Sequence, residues 1–274
     1  MNLSLEAQYR TISVEAKAGP ASLQQALTRL PGFMKETTKR LVEALSHPID
    51  ALFPARNLHW AVEQLVAVPY PQMRSVIVPC IPGIRVDYLT YTDRLADDAK
   101  FCSQFEAMYL DPLIDYLARK LNNPDGLRSV QPDDALDHMS LKEFNAHNAA
   151  MGKVLDLHND KAQKPYGQLI RRNADWPEIL AHSQTIHAVF TQADHDRFKT
   201  KFDRAKNLLD TLIQRLTHGG PDAYKISAPV FTKVVDATYV VAHAVELYGL
   251  TYRRALVLDF ALDQLIDSVK KKAA

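Results

Sequence analysis

Along most of the chain, apolar residues recur three and four positions apart, the spacing that lines one face of an α-helix. The clearest run is Phe198, Phe202, Ala205, Leu209, Leu212 and Leu216, a heptad-like seam flanked by Asp and Lys/Arg. Gly219-Gly220-Pro221 stops it. Ser227 is placed to cap a following helix that runs to Leu247, with Gly249 a joint before a last helix from Tyr252 to Lys271. Pro177 suits the first turn of a helix reaching Gln192. Towards the N-terminus the pattern predicts a short helix capped by Ser22, a second starting at Pro31, a piece over 57–66, a helical stretch from Asp93 to Leu121 kinked or broken at Pro112, and a helix following the Ser140/Glu143 capping box.

The pattern fails over 67–92. Pro69, Pro71, Pro79 and Pro82 interrupt two short apolar runs, 75–78 and 84–88. Proline removes a backbone donor, so this stretch reads as an extended segment or a small hairpin around Pro82-Gly83. The expected fold class is therefore mainly α, a multi-helix bundle with a Pro-rich extended segment or hairpin near 69–90. The polar stretch around 160–175 divides the chain into an arm (1–19), a helical region with the Pro-rich insert (20–162) and a C-terminal bundle region (163–274), unless the last two form one continuous domain.

Composition supports that picture. The 274 residues are 47% hydrophobic and 24% charged, enough to bury a core. Only 9 glycines stand against 15 prolines, which disfavours turn-dense β folds and Gly-rich phosphate loops. The 33 Lys+Arg nearly balance 32 Asp+Glu, unlike a dedicated polyanion binder. Two cysteines, Cys80 and Cys102, are too few for a disulfide framework and read as buried free thiols. No apolar run approaches 18 residues, and the N-terminus lacks the apolar region of a signal peptide, so neither a membrane span nor secretion is expected.

Candidate chemistry is sparse. His138, His147 and His158 lie in or beside one helical stretch, and Glu143 shares a face with His147. His59/Glu63 and His243/Glu246 are similarly spaced. A di-iron bundle needs Glu-x-x-His on two helices, and zincins need His-Glu-x-x-His. Neither pattern occurs, so no metal site, no cofactor and no catalytic residue is assigned. Nucleophile-elbow, Walker and dinucleotide fingerprints are missing too. Basic groups that suit phosphate contacts are Lys35, Lys39 and Arg40 on one helix and the doublets Arg171-Arg172 and Arg253-Arg254. The seam residues Phe198, Phe202, Leu209, Leu212 and Leu216 suit either the chain's own core or a subunit interface.

The arm carries a short repeat. Ser4-Leu5-Glu6-Ala7 and Ser13-Val14-Glu15-Ala16 both read Ser-x-Glu followed by a small residue. An exposed extended chain of this kind can enter a protease cleft. The repeat resembles sites cut by prohead maturation proteases of large tailed bacteriophages, which implies processing sites at Glu6 and Glu15, and an arm before a helical body is similar to internal head and other virion proteins of jumbo phages. That resemblance implies a non-enzymatic structural or interaction protein of the virion or host cytoplasm, with protein partners or self-association. The alternatives are a helical nucleic-acid-binding protein, resting on the basic groups, and a metal-binding helical-bundle enzyme, resting on the histidines.

Overall fold

A computed structural model describes residues 5–18, 20–44, 70–123, 134–156, 159, 161–218 and 226–273. The chain is mainly helical. Its longer helices are α1 (Leu5–Ala18), α2 (Pro20–Ala44), α3 (Tyr88–Cys102), α4 (Asp111–Asn122), α5 (Lys142–Val154), α6 (Trp176–Val189), α7 (Gln192–His218) and α8 (Ala228–Ala273). They form two compact units. The first takes residues 1–46, 104–141 and 195–247, and the second takes 47–103, 142–194 and 248–274. The expected division at 162/163 differs from this, because each unit is assembled from three separated stretches. The expected helix over 57–66 lies outside the described residues.

In the first unit the expected arm is a helix. Ile12, Ser13 and Ala16 are buried on one face of α1, which packs along α2. Tyr9 stacks on Tyr239 at 3.9 Å between ring centroids, and its hydroxyl donates to Asp236 at 2.8 Å. Burial, with the Asp236 contact, pushes the Tyr9 phenol up to about 12. Residues 5–18 are thus a docked helix and not an extended arm, and Pro20 opens a second helix.

The break expected at Pro31 does not occur, since α2 passes through it. Pro31 sits on the exposed face, while Leu27, Leu30, Phe33 and Thr37 keep one buried stripe on either side of it. Packing of that stripe outweighs the lost backbone bond.

The backbone stays helical through Pro112, and the interruption comes earlier, at Ser103–Gln104. A π-helical turn, Glu106–Leu110, precedes α4, and Pro112 occupies its first turn. The wider turn bonds Asp111 N–H to the Glu106 carbonyl, which places both carboxylates towards α7. Arg197 donates through Nε to both Glu106 oxygens at 2.9 Å, and Lys201 bridges Glu106 at 3.2 Å and Asp111 at 2.8 Å.

The second unit holds the Pro-rich stretch. Its strand β1 (Ile77–Pro79) does not fold back on 84–88 as a local hairpin. It pairs antiparallel with β2 (Gln163–Pro165), Val78 facing Lys164. Ile84 makes a single bridge to Leu155. Proline explains the choice: Pro79 and Pro82 leave too few donors for a local ladder, whereas the distant segment accepts Cys80 N–H at Ala162 O, 2.9 Å.

Helix α8 runs unbroken through Gly249, correcting the expected joint. Glycine ends a helix by adopting positive φ, and among the described residues only Gly83 does so. The stretch of α8 before Gly249 is buried on nearly all sides, while the stretch after it keeps one exposed face.

Candidate functional site

Helix α3 brings Tyr91, Arg94, Asp98 and Cys102 onto one face by their spacing of three and four. All belong to the second unit, where α5 adds His147 and α8 adds Arg254. Asp98 is completely buried. One of its oxygens accepts from Arg94 and lies 2.6 Å from His147 Nδ1. The other stands 3.8 Å from Arg254 Nη1, too far for a direct bond. His147 stacks on Phe101 at 4.2 Å, which fixes its ring against the carboxylate.

The result is one buried carboxylate serving three bases from three helices. Several atoms around it have no hydrogen-bond partner: Asp98 Oδ2, Arg94 Nε, Arg254 Nη1 and the Tyr91 hydroxyl. Burial pushes the Tyr91 phenol up, with the Arg254 charge acting against it and Asp98 adding to it, so Tyr91 stays protonated. Burial also raises the Cys102 thiol, which keeps it from acting as a nucleophile. Cys80 is raised for the same reason, and both thiols are free.

A second His–carboxylate pair lies in the same unit. His187 Nε2 meets both oxygens of buried Asp259 at 2.9 and 3.0 Å, tying α6 to α8. His182 Nδ1 is 3.1 Å from the Thr92 hydroxyl. These contacts are between elements, so each fixes one helix against another. No group of three or more His, Cys, Asp or Glu among the described residues is arranged to hold a metal. His138 is exposed, His243 lies 3.7 Å from Glu246, and His59, Glu63 and His158 fall outside the described residues.

The basic groups named as phosphate contacts are spread over both units and mostly engaged. Arg171 pairs with Asp87 at 2.5 Å and Arg172 with Asp175 at 2.7 Å. Arg254 is largely enclosed beside Asp98, 3.8 Å from it, which corrects its reading as a surface contact. Arg253 is exposed on α8, and Lys35 and Lys39 are exposed on α2. Arg40 is part of the α2 backbone.

Asp87 caps α3, accepting from Thr90 N–H at 2.9 Å and from the Thr90 hydroxyl. Burial raises its carboxyl, but the Thr90 bonds and the Arg171 charge outweigh burial and hold it below the ordinary value. A carboxyl lowered on folding stabilises above its unfolded value and loses that contribution as pH falls through the folded one. Asp87→Ala is expected to cost about 0.5–2 kcal/mol at neutral pH, the usual range for a lost cap. The gap from the parent chain should narrow in urea titrations below about pH 4. A gap unchanged at acid pH would rule out the charged cap.

The seam residues Phe198, Phe202, Leu209, Leu212 and Leu216 are all buried in the folded chain, so they are core and not a free interface. Glu6 and Glu15 lie within α1 and not in an extended arm. Glu6 pairs with Arg10 at 2.5 Å and Glu15 with Arg29 at 3.2 Å. A protease needs extended chain, so cleavage at either site requires α1 to unwind. A Glu-specific endoprotease is therefore expected to spare Glu15 in the native chain and cut it readily in urea. Cleavage at equal rates in both conditions would mean that α1 is not docked.

Two exposed apolar residues share one face of α8 in the second unit: Val257, 42% exposed, and Phe260, 64% exposed. Neither was singled out in the sequence, because on that face they alternate with polar residues, Arg253 and Gln264 among them, and leave no apolar stripe. No protein-family model, curated protein or solved structure matches the chain. No helix among the described residues is long and apolar enough to cross a membrane.

Proposed function

We propose that the chain is a non-enzymatic structural or interaction protein, a component of a larger assembly such as a phage particle. The supporting observation is the use made of its ionisable side chains in the second unit. Asp98, Arg94, His147 and Arg254 tie three helices together in the interior, and His187 with Asp259 ties a further pair. These groups position helices, and both thiols are buried and protonated. The Ser-x-Glu repeat supports the phage setting through its resemblance alone, and its place inside α1 adds nothing to a processing role.

The decisive experiment is mass spectrometry of density-purified particles from the phage that encodes the chain. A fixed copy number per particle is the expected result. Absence from particles, with the chain alone in infected cells, would overturn the assembly reading.

A further inference from the structure

We infer that the buried charge centre of the second unit is a binding site for one ordered water molecule, held between Arg254 on α8 and Asp98 on α3. The inference is independent of the assembly reading. It starts from two atoms that face each other. Arg254 Nη1 stands 3.8 Å from Asp98 Oδ2. Both atoms are buried, and neither has a hydrogen-bond partner. One is a charged donor and the other a charged acceptor, in an interior where opposite charges attract more strongly than in water. A direct bond would draw them to about 2.7–2.9 Å. A separation of 3.8 Å is that of two groups bridged by a single oxygen, about 2.8–3.0 Å from each.

The surroundings hold the gap open. The other oxygen of Asp98 accepts from Arg94 and lies 2.6 Å from His147 Nδ1. His147 is fixed in turn by its stack on Phe101 at 4.2 Å. The carboxylate cannot swing towards α8 without giving up those contacts. Helix α8 is anchored beside Arg254 by Tyr252 and Ala255, both fully buried, so it does not slide towards α3.

The two sides of the gap decide what fills it. The occupant accepts a hydrogen bond from a guanidinium and donates one to a carboxylate. An anion meets Asp98 as a like charge, and a cation meets Arg254 as one. A neutral molecule that donates and accepts through one oxygen satisfies both sides, and water is the smallest of these. The Tyr91 hydroxyl, on the same face of α3, is also buried and unpartnered, and the charges of Arg254 and Asp98 both act on its phenol. It supplies the third contact that a buried water ordinarily makes. One held molecule completes these bonds without screening the charges as bulk solvent would.

A high-resolution crystal structure of the full chain tests the site directly. The expected result is a density peak within about 2.6–3.2 Å of both Arg254 Nη1 and Asp98 Oδ2. Crystals soaked in sodium bromide separate water from an anion, and no anomalous bromide signal is expected at that position. In solution, oxygen-17 relaxation dispersion counts the waters that exchange slowly because they are buried. Arg254→Met removes the donor and should lower that count by one. Asp98 keeps its contacts with Arg94 and His147 in this variant, and the crystal of the parent chain gives its answer whether or not the variant folds. A dry gap, a direct Arg254–Asp98 bond, a bromide peak between them, or a folded Arg254→Met with an unchanged water count would each overturn the inference.

Discussion

Asp98→Ala is expected to destabilise the chain by about 3–5 kcal/mol, the cost of removing one partner from a buried ion pair. The carboxylate is fully buried and is the shared anion for Arg94, His147 and Arg254, which come from α3, α5 and α8. Taking it away removes the anion beside Arg254 and His147 and leaves Arg94 only the half-exposed Asp97, 3.7 Å away, while the groups around it already include unpartnered atoms. Asp97 is too exposed to replace a buried carboxylate in full. Urea denaturation at neutral pH measures it. A loss under about 1 kcal/mol would show that water reaches the site and screens the charges, as it does for surface pairs. Asp98→Leu with Arg94→Met is the informative companion. Replacing both charges by apolar groups is often neutral, so the double variant should recover much of what the single one loses.

Gly83→Ala carries the second large effect. Gly83 holds a φ of +72°, a conformation that costs other residues about 1–3 kcal/mol. Space is the greater obstacle, because a Cβ there would sit 2.0 Å from the Asp156 carbonyl oxygen and 2.9 Å from that of Asn159. Both neighbours are backbone and cannot swing aside. Gly83 also bonds the chain it touches: its carbonyl accepts from Asp156 N–H at 2.8 Å, and its N–H donates to Lys161 O at 3.3 Å. Arg85 reinforces the same junction through Asp156, 2.7 Å away. The substitution should therefore lower stability by more than the backbone penalty alone and detach the 156–165 segment from the Pro-rich stretch. Amide exchange at Cys80, bonded to Ala162, would quicken. A variant with unchanged unfolding midpoint and unchanged exchange would contradict this account.

Reading the sequence by periodicity located most of the longer helices, because a buried stripe leaves its spacing in the chain. Phe198 through Leu216 is the clearest case. The same rule would have found α1, since Ile12, Ser13 and Ala16 share a face, but the Ser-x-Glu repeat and Gly19-Pro20 drew attention to an extended form. The partner of β1 was not legible. Three residues carry too little alternation to specify a register, and their partner lies far along the chain. Arg94 and Asp98 stand four apart and read as an ordinary surface pair on a helix. What makes them a buried centre is His147 and Arg254, and no local pattern announces that those residues arrive at the same point. Arg254 misled for the same reason, as half of a basic doublet whose other half, Arg253, does face outward.

The alternation of the two units along the chain has a consequence for synthesis. The chain passes from one unit to the other at 46/47, 103/104, 141/142, 194/195 and 247/248. A ribosome delivers residues in order, and domains ordinarily finish folding one after another as they emerge. Here neither unit has all its pieces until α8 leaves the tunnel. Partly made chains must hold the apolar faces of helices such as α2 and α7 without their final neighbours until translation is nearly over. A stop codon anywhere before α8 therefore spares neither half, and both are lost together.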